Sequence, residues 1–299
     1  MPILNLQIQL FLLLLIGFLL SKAGMLEDAA RRQMTNLVIY VVLPANIFHS
    51  FQLEMTPQVL RLTAEVLVIG FLVQGGYSLL NLFLYRGFEP RQQISLKYGT
   101  ICSNAGFMGL PLSSAIFGAK GLLYASVALL PIRIFMWSSG LSLYTRTTRR
   151  AVLKTLVTHP CILAVYAGFL TMGFRIHLPA ALENTLTSLS QCTTALSMIL
   201  IGSILCDVDL RSVFQKASLY YASLRLVILP AAILGVLRLL RIDPLVTGVI
   251  VILAAMPAGS TTAMLAQKYD QDPLFASKLV FTSTLLSLLT LPIYALILT

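Results

Sequence analysis

The sequence predicts an all-α polytopic membrane protein: ten transmembrane helices in two inverted repeats of five, each repeat with a broken fourth helix. Three observations predict it. Of 299 residues, 58% are hydrophobic and 11% charged, and the mean hydropathy is +0.87, which leaves too little polar surface for a soluble core protein. Apolar runs of about 20 residues recur from end to end, each long enough to cross a hydrocarbon core of ~30 Å. The two halves of the chain match weakly at a shared offset of 151 residues. A β-barrel would show segments of ~10 residues alternating with period two, and these are absent. No stretch is long and polar enough for a soluble domain.

The spans follow in order. Span 1 (4–22) lacks the basic start of a signal peptide and is read as a mature helix. Span 2 covers 34–52. Span 3 (58–85) holds Glu65 about two turns in, the one acidic residue of eleven that lies clear of the loops. Span 4 (92–118) contains NAGFMGLPL at 104–112. Span 5 (120–145) carries Arg133 about midway. The short loop TRTTRRAVLK leads to span 6 (155–174), followed by span 7 (180–206). Span 8 (216–240) carries Arg225, less deeply than span 5 carries Arg133. Span 9 (244–268) contains AMPAGSTT at 255–262, and span 10 (274–298) completes the chain. Cys102, Cys161, Cys192 and Cys206 lie in or beside apolar runs without CxxC spacing and read as small apolar residues. His49, His159 and His177 sit near span ends, in structural or interfacial roles.

The net charge of +10 does not point to nucleic acid, because the Lys and Arg residues are spread among short loops. Alternate loops collect 14 of them, including Arg31, Arg32, Arg86, Arg146, Arg149 and Arg211, against five on the other side. The positive-inside rule then places the basic loops in the cytoplasm and both termini outside.

Residues 1–150 and 151–299 form the two repeats. GFL at 17–19 recurs at 168–170, and GLLYAS at 121–126 faces DPLFAS at 272–277. With five spans per repeat, the second enters the membrane from the opposite side, a construction common among secondary transporters. The offset sets Asn104–Pro111 against Ala255–Thr262, so Pro and Gly interrupt the fourth span of both halves. Proline removes a backbone donor and glycine permits unusual dihedrals. Such backbone is tolerable at mid-membrane only when buried in protein or lining a cavity. The half-helix N-termini then offer free N–H groups to an anion. The alternative is that these residues only kink the helices or let them pack closely. Ser103, Asn104, Ser260, Thr261 and Thr262 add polar side chains beside the breaks. Arg133 suits a carboxylate in bidentate fashion, or else bonds helix carbonyls. Arg225 reads as snorkelling to the cytoplasmic face or packing on a neighbouring helix.

At these motifs the chain resembles a known family. NAGFMGLPL and AAMPAGSTTAMLAQKYD (254–270) are similar to the paired signatures of the auxin efflux carrier family, which includes plant PIN-type carriers and bacterial permeases for malate or malonate. VVLPANIFHSF (41–51), THPCILAVYAGFL (158–170) and ALSMILIGSIL (195–205) resemble its second, sixth and seventh spans, so the resemblance covers nearly the whole chain. It implies a dimerising scaffold of spans 1, 2, 6 and 7. It also implies a mobile part of spans 3–5 and 8–10, whose crossing helices 4 and 9 hold the substrate and move by elevator-like alternating access. By motif it carries over Asn104, Pro111, Pro257 and Gly202. The candidate substrate site is Asn104, Gly106, Phe107, Gly109, Pro111, Met256, Pro257, Gly259, Ser260 and Thr261, with Arg133 and Asn46. No cofactor or metal is called for.

The short loop between spans 5 and 6 resembles the compact bacterial form, in the cytoplasmic membrane. Plant carriers place an acidic residue and a lysine on span 3, where this chain offers Gln74, Tyr77 and Asn81, which weighs against auxin itself. The implied function is secondary transport of a small organic anion, an auxin-like monocarboxylate or a dicarboxylate such as malate or malonate. Export is the implied direction, since a negative cytosol favours anion efflux. The alternatives are a sodium-coupled symporter of the bile-acid type and a transporter-like sensor without flux. A membrane enzyme would need a catalytic constellation within the spans, and none is seen.

Overall fold

Helices account for nearly all the secondary structure in this computed structural model, which describes residues 2–52, 56–145, 150, 154, 158, 160–176, 178–206, 214–259 and 261–298. In chain order they are α1 (Pro2–Lys22), α2 (Asp28–Leu37), α3 (Leu43–Ser50), α4 (Pro57–Leu80), α5 (Pro90–Ile101), α6 (Leu110–Phe135), α7 (Pro160–Gly173), α8 (Ala180–Leu205), α9 (Lys216–Ser223), α10 (Leu229–Leu239), α11 (Pro244–Ala254), α12 (Thr261–Lys268) and α13 (Pro273–Leu298). Among the described residues, four helical stretches are long and apolar enough to cross a membrane: Pro57–Leu80, Ala105–Leu143, Lys216–Leu239 and Pro273–Leu298. Phe11–Lys22, Pro160–Gly173 and Pro244–Ala254 are shorter apolar helices. This is the architecture of a polytopic membrane protein. Four long stretches are fewer than the ten expected spans, partly because the breaks cut two of them. The expected span 9 is divided between α11 and α12, of 11 and 8 residues. The expected span 4 is divided between the 12-residue α5 and the start of α6.

Wider π turns interrupt the helices at Val38–Val42, Ala105–Gly109, Met136–Gly140 and Leu224–Ile228. Three of these run directly into a helix whose second residue is proline: Pro44, Pro111 and Pro230. Proline lacks the amide that would bond the carbonyl four residues back, and its ring crowds that carbonyl. The wider turn takes up the mismatch while the helix continues.

The chain divides into two compact units, each drawn from both halves of the sequence. The first comprises Met1–Ala64, Gly106–Val127 and Val157–Asp207. In it α1 and α8 pack backbone to backbone. A methyl group added at Gly17 would fall on the Ile199 carbonyl, 2.7 Å from its carbon, and one at Gly202 on the Leu14 carbonyl, 2.8 Å from its carbon. Such close approach is how helices gain contact where lipid tails offer no hydrophobic driving force. Gly168 of α7 lies against the Phe51 ring at the end of α3, and that ring meets Phe169 edge-on at 4.8 Å. Polar pairs tie α3 to α8: the Ser190 hydroxyl donates to Asn46 Oδ1 (2.6 Å), and His49 Nε2 pairs with Thr187 Oγ1 (3.1 Å). Within α6 the chain breaks at Gly118 (φ 67°, ψ −156°), a conformation essentially reserved for glycine. This is where the sequence placed the boundary of spans 4 and 5.

The second unit comprises Glu65–Ala105, Ala128–Leu156 and Val208–Thr299. Its α11 is buried at every residue from Val246 to Ala254, a stretch that is apolar except for Thr247. Asp243 caps α11, its Oδ1 accepting from the Leu245 amide at 2.8 Å. Tyr85, Leu96, Tyr221, Leu224, Phe275 and Leu279 form one apolar cluster, and Tyr98, Cys102, Met136 and Tyr144 another.

Candidate substrate site at the paired helix breaks

In the second unit, α5 stops at Ile101 and Cys102 turns extended (φ −106°, ψ 92°). After α11, helix resumes only at Thr261. The two non-helical stretches lie antiparallel, with Ser103 opposite Ala258. The Asn104 amide donates to the Pro257 carbonyl (2.8 Å), and the Gly259 amide to the Cys102 carbonyl (3.0 Å). Each break therefore satisfies backbone groups of the other, which is how non-helical chain persists away from water. Gly259 suits this approach, because a methyl there would stand 3.2–3.3 Å from Cys102 O, Cys102 Sγ and Ser103 O. The Ser283 hydroxyl of α13 accepts from the Ala258 amide (3.2 Å), and Cys102 Sγ lies 3.1 Å from Thr261 Oγ1. The Tyr144 hydroxyl donates to the Thr262 carbonyl (3.3 Å), and its ring meets those of Tyr98 and Tyr269.

Several polar groups here remain without partners. Ser103 Oγ and Thr262 Oγ1 are buried and unbonded. Asn104 is 5% exposed, and its side-chain amide bonds to none of the described residues. Buried polar atoms are normally satisfied. These groups lie at the paired breaks, next to the start of α12, where the Thr262 amide donates to the Gly259 carbonyl (2.9 Å).

Of the two alternatives the sequence offered for Arg225, the structure shows packing against neighbouring helices. Arg225 does not snorkel. It is 1% exposed, its Nε donates to the Met256 carbonyl and its Nη1 to the Thr100 carbonyl (both 3.1 Å), and its guanidinium lies over the Tyr77 ring at 4.8 Å. The physical reason is that two helix ends leave carbonyls needing donors, and the planar fork of an arginine reaches both. Arg133 is half-buried. Its Nη1 contacts Met136 Sδ (3.7 Å), its Nε is buried without a partner, and it bonds no helix carbonyl among the described residues. Met136 packs in one cluster with Cys102 and Tyr98, so Arg133 stands beside the first break.

Of the expected site residues, Asn104, Met256, Pro257, Gly259 and Thr261 come together in the second unit, with Arg133 near them. Gly106, Phe107, Gly109 and Pro111 follow the first break but belong to the first unit, as does Asn46, whose amide oxygen already accepts from Ser190. Ser260 lies outside the described residues, as do His159, His177, Arg146, Arg149 and Arg211. Glu65 has one carboxylate oxygen buried without a partner. Sequence reasoning singled out Arg225 as an arginine inside an apolar span but did not name the carbonyls of Thr100 and Met256 as its partners. It also missed the bridge, whose single residue pair leaves no periodic signal.

Comparison with known proteins gives three findings. The family described as membrane transport protein matches residues 2–151 and 144–295. An uncharacterized transporter of Methanothermobacter thermautotrophicus is 28% identical over 298 residues, covering 97% of both chains. An uncharacterized transporter of Methanocaldococcus jannaschii is 23% identical over 300 residues, covering 96% of both chains.

Proposed function

Because the chain belongs to the membrane transport protein family, we propose that it is a secondary transporter for small organic anions in the cytoplasmic membrane. The observation that carries the reading is the pair of bridged helix breaks, with the Ser103 and Thr262 hydroxyls unsatisfied around them and the buried Asn104 beside them. An anion fits this niche better than a cation. The start of α12 is a positive dipole end, and among the described residues the buried Arg225 and the half-buried Arg133 bring positive charge near the breaks. A carboxylate would take bonds from the Asn104 amide, the two hydroxyls and Arg133 Nε. Malate, malonate or an auxin-like monocarboxylate is the substrate class, and export down the membrane potential is the direction.

Inverted repeats and elevator-like movement complete the proposal. Adding 151 to Gly17 gives Gly168, and subtracting it from Gly202 gives Phe51, so the α1–α8 contact has its counterpart in the α7–α3 contact. Gly24 and Arg175 are also 151 apart, and each ends its helix in a left-handed residue. Elevator-like movement draws support from the grouping of α1, α2, α3, α7 and α8 in one unit and α5 and α9–α13 in the other. Both termini lie outside in this proposal. A homodimer forms through spans 1, 2, 6 and 7, for which α1 exposes Phe11, Leu12, Leu15 and Leu19.

The test is flux of labelled malate, malonate and indole-acetate into proteoliposomes, with imposed potential, pH and sodium gradients in turn. Flux of a carboxylate that follows the potential supports the reading. Flux that requires sodium replaces it with a sodium-coupled symporter. Binding without flux replaces it with a sensor.

A further inference from the structure

Arg225 is a buried cation with no carboxylate partner among the described residues. Isolated buried charge is costly, so its surroundings must compensate it. They do so with helix ends. Thr100 lies in the last turn of α5, and Met256 lies just past the end of α11. Each C-terminal pole carries roughly half a negative charge, so two of them offset one guanidinium. The same two bonds hold the residues that lead into the bridge, two positions before Cys102 and one position before Pro257. Tyr77 closes one face of the guanidinium.

We propose that Arg225 is a positioning residue that locks the two helix breaks into one frame, and that its charge silences the negative poles of α5 and α11 so that the niche favours anions. Without the guanidinium, two negative helix ends stand behind the breaks and oppose the positive start of α12. The lock is independent of what the protein carries. The charge preference rests on the carrier reading given above.

The test uses the full-length protein in lipid nanodiscs, as wild type, Arg225→Gln and Arg225→Lys. Hydrogen–deuterium exchange is followed in peptides covering residues 100–105 and 255–262. In Arg225→Gln, exchange at both breaks rises at least tenfold while peptides from α1 and α8 keep wild-type rates. Arg225→Lys, which keeps the charge but not the two-pronged fork, falls between. Wild-type exchange at the breaks overturns the lock, as does a uniform rise across all peptides, which would make Arg225 a general support of the fold. If the Gln variant does not fold, the Lys variant decides: exchange at least threefold faster and confined to the breaks supports the lock, and wild-type rates refute it.

A second arm compares malonate with malonamide flux in proteoliposomes. The wild-type preference for malonate falls at least tenfold in Arg225→Gln and stays within threefold in Arg225→Lys. An unchanged ratio in Arg225→Gln overturns the charge claim. A wild type that moves neither compound overturns the carrier reading and the charge claim with it, and exchange still decides the lock.

Discussion

Replacing Gly202 with alanine tests the closest helix contact in the first unit. The new methyl falls on the Leu14 carbonyl, 2.8 Å from its carbon, where an ordinary contact begins at 3.4 Å. The backbones of α1 and α8 must therefore part by about 0.6 Å at that carbon, and by more at its oxygen, since neither atom belongs to a side chain that can swing aside. Overpacking of this kind costs about 1–3 kcal/mol, which for a chain of this size lowers the melting temperature by several degrees. Gly17→Ala strikes the same pair of helices from the other side, at Ile199. Because either methyl forces the same separation, the double variant should lose less than the two single losses combined. Gly75→Ala and Gly76→Ala are the controls, since an added methyl at either meets nothing within 4 Å. In mid-helix they should be neutral or stabilising by up to about 1 kcal/mol. The assay is heating of the lipid-reconstituted protein, followed by recovery of the monodisperse fraction on size exclusion. Melting of Gly202→Ala within 1 °C of wild type, or an equal loss in the Gly75 control, would refute the reasoning.

Other outcomes follow from the same geometry. Asn104→Ala should abolish flux while membrane insertion and melting stay as in wild type; normal flux would remove its amide from the site. Arg133→Gln should slow dicarboxylate flux more than monocarboxylate flux, and equal losses would assign Arg133 a structural role. Gly118→Ala should cost about 1–3 kcal/mol although nothing lies within 4 Å of the added methyl, because the strain is in the backbone itself; a melting curve matching wild type would show that the kink can relax.

The breaks themselves were legible, because proline and glycine carry their conformational consequences wherever they stand. The ends of α5 and α11 and the start of α12 fall where NAGFMGLPL and AMPAGSTT placed them. What joins the breaks was not legible. A bridge of one residue pair has no period, and its members, Ser103 and Ala258, are 155 positions apart. Of the two readings of Arg225, packing on a neighbouring helix holds, and snorkelling, which counted depth from the end of a span, does not. The residue sits in the π turn Leu224–Ile228, and its neighbours are carbonyls exposed by breaks in two other helices. Prolines after a leucine recur at 44, 111 and 230, each following a π turn, yet Pro131 and Pro292 sit inside helices without one. The dipeptide alone does not dictate the wider turn. Close packing at Gly17 and Gly202 was also hidden, since an apolar sequence does not show which glycine meets a backbone.

The bridge between Ser103 and Ala258 has a consequence for biogenesis. A ribosome adding ~5–20 residues per second needs roughly 8–30 s to travel from one partner to the other. Throughout that interval the first break stands without the carbonyl of Pro257 and the amide of Gly259, the groups that later pair with it. Until the second half arrives, the Asn104 amide and the Cys102 carbonyl of the first half must find other partners, such as water. A chain truncated at residue 150 would never receive the Pro257 carbonyl or the Gly259 amide.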